Sequence, residues 1–235
     1  MEQIGKVKSI SIWVFIIPFF AVNACLLITT QFNFLIEHQY RGYFSFFPYI
    51  DGGVSISRTA RYYPTYLIFK PAMFLTSYLL IKYWIYNKEI IDFFDQGHKN
   101  KKKILFFGIA SAVALAIHSI FLGVKFDNDL YKLFRRVVML SFIIFEITAQ
   151  AYLVAAFYSF KDKLYQHINK IFLILKFILV STLIVVAIIS IPIISLPGDN
   201  IFGFNLKFLK HALEWDYFLG VILFYVLTFF MWKKI

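Results

Sequence analysis

Six apolar runs, at about 10–30, 65–87, 104–124, 135–159, 171–196 and 211–232, are divided by shorter charged or aromatic stretches. Each run holds about twenty residues or more, the length an α-helix needs to cross a hydrocarbon layer ~30 Å thick at ~1.5 Å per residue. The expected fold is an all-α membrane protein, with residues 1–235 forming one six-transmembrane-helix bundle. Its first outer loop, 31–64, is long and aromatic: Phe32, Phe34, Tyr40, Tyr43, Phe44, Phe46, Phe47, Tyr49, Tyr62 and Tyr63. Those rings suit an interfacial belt or a lid packed on the helix ends. Asp51-Gly52-Gly53 marks a turn inside the loop, because glycine tolerates positive φ.

Particular residues refine the runs. Lys6 and Lys8 precede the first run as in a signal peptide, but the run is too long for an h-region, so an uncleaved helix is expected. Val22-Asn23-Ala24-Cys25 has a faint likeness to a lipoprotein cleavage site, which Asn23 fits badly. Lys70-Pro71 sits near the start of the second run, where the proline frees a backbone carbonyl that the neighbouring lysine can reach. Lys176, in the inner half of the fifth, is expected to snorkel to the head groups.

Composition agrees with insertion in a bilayer. Hydrophobic residues make up 60% of the chain and charged ones 16%, with mean hydropathy +0.72. Soluble domains sit nearer ~50% and ~25%. The net charge of +11 does not indicate nucleic acid, because the lysines cluster at the ends of apolar runs, where they face anionic lipid head groups. Lysines 99 and 101–103 form the densest basic cluster and tip the orientation toward cytoplasmic N- and C-termini. Cys25 is the only cysteine, so no internal disulfide or thiolate cluster can form.

Candidate chemistry lies within the runs. Glu146 falls about 16 Å beyond Arg135 along a helix, near mid-membrane. A carboxylate at that depth is expensive unless it faces a partner or water, which marks it as a functional candidate. Arg135, Met139, Phe142, Glu146 and Gln150 share one helical face, as do His211, Glu214, Val221, Tyr225 and Thr228, while Ser111 and His118 lie seven apart on the third run. Turned inward, these stripes would gather Lys70, His118, Arg135, Glu146, Gln150, His211 and Glu214 around one cavity in the outer half.

Three chemistries suit such a cavity. Lys70, Arg135 and Arg136 could hold an anionic lipid head group, with Glu146 and Gln150 orienting it. His118, Glu146, His211 and Glu214 could instead carry acid/base or metal-assisted hydrolysis or acyl transfer. A lone Glu146 could also serve proton-coupled transport. Against all three stands a scaffold in which these groups bond helix to helix and Glu146 pairs with Lys70 or an arginine to fix register. No HExxH-type spacing is present, so neither a metal site nor a cofactor is expected.

Two segments carry a family resemblance. Phe47-Pro48-Tyr49-Ile50-Asp51-Gly52-Gly53 is similar to a proline–aromatic–isoleucine, serine–aspartate–glycine loop motif, though no serine precedes Asp51. His211-Ala212-Leu213-Glu214-Trp215 followed by Tyr225-Val226-Leu227-Thr228-Phe229 looks like a closing helix with Glu-Trp ahead of Tyr-x-x-Thr-Phe. Together they resemble the six-helix family that groups damage-regulated autophagy modulators (DRAM), Frag-type lipid-remodelling proteins and Sfk-type membrane proteins. Ser57-Arg58-Thr59-Ala60-Arg61 departs from that family's proline–glutamate–serine step. The resemblance implies a six-helix fold and a lipid-associated setting, and singles out Pro48, Asp51, Glu214 and Trp215.

Overall fold

The computed structural model describes residues 2–36, 47–124, 128–195, 200–201 and 204–233. The loop aromatics Tyr40, Tyr43, Phe44 and Phe46, together with Arg41, Lys125, Asp127, Pro197 and Lys234, lie outside the described residues.

Helices dominate the described chain. Long helices form at α1 (Glu2–Gln31), α4 (Thr65–Phe94), α5 (Lys101–Phe121), α6 (Asp129–Ser159), α8 (Lys170–Ser195) and α9 (Leu206–Met231). Three single turns, α2 (Pro48–Asp51), α3 (Ile56–Thr59) and α7 (Lys161–Leu164), and a 3₁₀ turn at Asn33–Leu35 punctuate them. A two-residue antiparallel pair, β1 (Asn200–Ile201) with β2 (Phe204–Asn205), precedes α9.

All six long helices fall on the six apolar runs, but several begin or end outside them. Hydropathy locates the membrane, whereas hydrogen bonding locates the helix end. Thus α6 starts at Asp129, where the Asn128 side chain accepts from Leu130 N at 2.9 Å. Among the described residues five helices, α1, α5, α6, α8 and α9, are both long and apolar enough to cross a membrane. Lys70, Pro71, Lys82 and four tyrosines dilute α4, which is otherwise as long as α1.

The helices form a closed ring in the order α1, α4, α5, α6, α8, α9, with α9 returning to α1 and also touching α6. At one end Lys8 Nζ donates to the Trp232 carbonyl at 2.7 Å, so the start of α1 lies beside the end of α9. Outward faces are apolar: along α8, Ile171 is 64% exposed and Ile188 67%. A surface of that kind suits lipid rather than water. Buried aromatics, among them Trp84, Tyr83, Phe157, Phe224 and Trp232, fill the interior.

Candidate functional site

The centre of the ring holds a cavity of about 90 Å³. Val14 and Val22 of α1, Met73 and Leu80 of α4 and Leu115 of α5 make its apolar walls. Met139 and Phe142 of α6 and Val221 of α9 continue them, and Ile56 of α3 reaches in from above. The carboxyl and imidazole groups on the wall are Glu214, His118 and Glu146. Glu214 and Tyr225, both on the lining, are eleven residues apart on α9, so the space runs about 16 Å along the bundle.

Glu146 is fully buried, and its partners are neutral. Ser111 Oγ of α5 donates to Oε2 at 2.5 Å, and Gln150 Nε2 and Tyr225 OH donate to Oε1, the former at 3.1 Å. Gln150 Nε2 also reaches the Val221 carbonyl at 3.2 Å, which ties α6 to α9. The stripes on α5, α6 and α9 therefore converge, but the expected pairing of Glu146 with Lys70 or an arginine is not what the structure places there. Three neutral donors satisfy the carboxylate instead, so no cation has to be buried with it.

Lys176 corrects a second expectation. It does not snorkel; it is fully buried, donating to Thr228 Oγ1 at 2.8 Å with its ammonium 3.9 Å above the centre of the Phe224 ring. Thr228 also meets Tyr83 OH at 3.2 Å. An aromatic face and a hydroxyl replace part of the hydration that the ammonium gives up. In the sequence only the stripe position of Thr228 hinted at this.

The other candidate cations stand away from Glu146. Lys70 Nζ donates to the Ile120 carbonyl of α5 at 3.3 Å, not to a carbonyl freed by Pro71, through which α4 continues unbroken. Arg135 lies over the Tyr131 ring, its guanidinium carbon 6.0 Å from the centre, and Arg136 is exposed. No Lys or Arg lines the cavity among the described residues. His118 is on the wall, but His211 is not: its Nδ1 lies 2.9 Å from the Gly52 carbonyl. No three His, Cys, Asp or Glu side chains among the described residues come together as a metal set.

The segments that carry the family resemblance meet in space. Trp215 Nε1 donates to the Val54 carbonyl at 2.7 Å, and its ring lies 4.8 Å from that of Tyr49, tilted by 59°. Glu214 Oε1 accepts from Ser57 N at 3.2 Å. Gly52 has φ +62°, and a Cβ there would collide with the Phe208 carbonyl oxygen of α9. Of the two glycines in the turn only Gly52 takes positive φ, while Gly53 N bonds the Asp51 side chain at 2.9 Å. Glycine at 52 is thus required twice, by conformation and by contact. Pro48 opens α2 and is buried. No family model, curated protein or solved structure matches the chain.

Proposed function

We propose that this is an integral membrane protein of six spans, with α4 as the sixth and both termini cytoplasmic. In this reading it binds, and thereby assists remodelling of, a membrane lipid by admitting the end of one acyl chain to the central cavity. The supporting observation is the cavity itself: walled by apolar side chains from five helices, and lined by Glu146, His118 and Glu214. Its volume is well below the ~150 Å³ of an apolar cavity known to take benzene, so it suits a few methylene groups and not a head group. A cavity lined by carboxylates and no cation is also a poor place for phosphate, which moves the head group outside it. The position of α4 between α1 and α5, and the docking of the DRAM-like loop on the DRAM-like closing helix, favour the same reading.

Native mass spectrometry of detergent-purified protein tests it. Wild type should retain phospholipid, and narrowing the cavity by Met73→Trp or Leu80→Phe should reduce retention at least about tenfold. Equal retention by folded variants would discard the cavity as a lipid site, as would lipid binding that is indifferent to both Glu146→Gln and His118→Ala.

One observation favours a scaffold reading of Glu146: its hydrogen bonds all go to side chains of α5, α6 and α9. Under that reading Glu146→Gln lowers stability and leaves lipid retention untouched. The hydrolase reading has no comparable support, because His211 is held at the Gly52 carbonyl.

A further inference from the structure

Two arginines and the cavity-lining His118 carry buried nitrogens without partners. Among the described residues eight buried side-chain nitrogens and oxygens have no hydrogen-bond partner, and three of them are Arg61 Nε, Arg135 Nε and His118 Nδ1. These belong to one electrostatic neighbourhood. Arg135 feels the charge of Arg61, His118 feels that of Arg135, and Glu214 feels Arg58, Arg61 and Arg135. Positive charge there exceeds negative, with the Glu214 carboxylate set against Arg58, Arg61 and Arg135.

The fold brings both arginines to one helix end. Gly123, at φ +85°, ends the turn after α5, and a Cβ on it would stand 2.9 Å from the Arg61 carbonyl oxygen and 3.9 Å from its Cγ. Only glycine lets Arg61 come so close. On the other side Arg135 rests over Tyr131, whose hydroxyl donates to the Phe121 carbonyl at 2.9 Å. Both arginines are therefore anchored to the C-terminal end of α5.

Neutralising that helix end would be the plain explanation of cations there. Lys70 does so, through the Ile120 carbonyl. The two arginine Nε atoms reach no acceptor at all. Like charges held together with buried donors unfilled raise the free energy of the empty site, and an oxyanion removes both costs. The guanidinium fork matches phosphate in particular, since two N–H groups can bond two oxygens at once.

We propose that Arg61 and Arg135 bind one phosphate group at the Glu214–His118 end of the cavity. That group is the phosphate of a lipid whose chain occupies the cavity, or a free phosphate. The lipid form rests on the acyl-chain reading above; the anion site itself does not.

The experiment titrates the full-length protein in neutral detergent with three probes: dioleoyl phosphatidic acid, dioleoylglycerol and inorganic phosphate. Native mass spectrometry and the shift in melting temperature report binding. Wild type should prefer phosphatidic acid over dioleoylglycerol by about tenfold or more, the scale of one charged hydrogen bond. Arg61→Gln and Arg135→Gln should each abolish that preference, while Arg136→Gln on the neighbouring exposed position should change it less than twofold. An unchanged preference in R61Q and R135Q overturns the anion site, and if both lipids still bind, the acyl-chain reading survives it. Equal loss in R136Q also overturns it, in favour of diffuse surface attraction. A response to inorganic phosphate alone, lost in R61Q and R135Q, upholds the anion site and overturns the acyl-chain reading. Where a glutamine variant fails to fold, Arg61→Lys and Arg135→Lys carry the test: charge without the fork should lose most of the preference, and full retention overturns the paired-fork site. No response to any probe overturns it outright.

Discussion

Glu146 and Glu214 both line the same cavity, yet their surroundings differ in kind. Around Glu146 the carboxylate itself is satisfied, since Ser111, Gln150 and Tyr225 all donate to it, although Gln150 Oε1 and Trp84 Nε1 nearby keep no partner. Around Glu214 the donors stay unfilled, since Arg61, Arg135 and His118 each keep a buried nitrogen without a partner. In a membrane interior a satisfied cluster ties helices together. An unsatisfied cluster with an excess of one sign is costly to maintain without something to bind. The difference separates a carboxylate bonded by side chains of three helices from one set among unfilled donors, which is where the proposed phosphate would bind.

Breaking the closed cluster should have the largest effect on folding. Glu146→Leu leaves three buried donors without their acceptor and should cost about 3 kcal/mol of stability, whereas Glu146→Gln should cost about 1 kcal/mol. Denaturant titration in mixed micelles measures both. If leucine proved as stable as glutamate, the cluster would not be holding the helices.

Next comes the wall that frames the open cluster. Gly52→Ala, with positive φ and a collision with Phe208, should cost about 2–3 kcal/mol and detach the 47–64 segment from α9. Hydrogen exchange at Val54 and Ser57 would report the detachment. Native-like protection in the variant would mean that Gly52 is not what docks the segment on α9.

Lys176 sharpens the comparison with a smaller change of opposite sign. Its ammonium is buried without a carboxylate among the partners described above, so Lys176→Met should leave stability unchanged or raise it by about 1 kcal/mol. A loss above that size would show that Thr228 and Phe224 hold the charge better than packing alone could.

The smallest effect belongs to a pair outside both clusters. Lys101 donates to Asp92 at 2.6 Å, and that hydrogen bond holds the carboxyl of Asp92 below its ordinary value of 3.8. A depressed carboxyl stabilises the fold fully above its unfolded value, and this contribution disappears as pH falls through the lower folded value. Both side chains are about one-third exposed or less, so Asp92→Asn should cost under ~0.5 kcal/mol at neutral pH, and the wild-type advantage should fade below pH 4.

Much of the bundle was legible in the sequence because hydropathy and the 3.6-residue period follow directly from burial. Of the residues that the inward-turned stripes are expected to gather, His118, Glu146 and Glu214 line the cavity, whereas Lys70, Arg135, Gln150 and His211 do not. What periodicity does not carry is which neighbour a polar side chain selects. Glu146 found neutral donors in place of Lys70, and Lys176 found an aromatic face in place of the head groups, because each depends on rotations between helices that the sequence leaves open. In the sequence Arg61 stands out only as the end of the Ser57–Arg61 stretch of the first loop. Its approach to Gly123 is a contact across 62 positions of chain, and the single local sign is a glycine at the end of the third apolar run.

The most direct measurement places a photoreactive diazirine at the terminal carbon of a phospholipid chain and maps the crosslinked peptides of the full chain in bilayer discs. Adducts on Met73, Leu115 or Met139, lost in Met73→Trp, are the predicted result. Adducts confined to outward residues such as Ile171 and Ile188 would contradict the account, since the chain end would then never leave the surrounding bilayer.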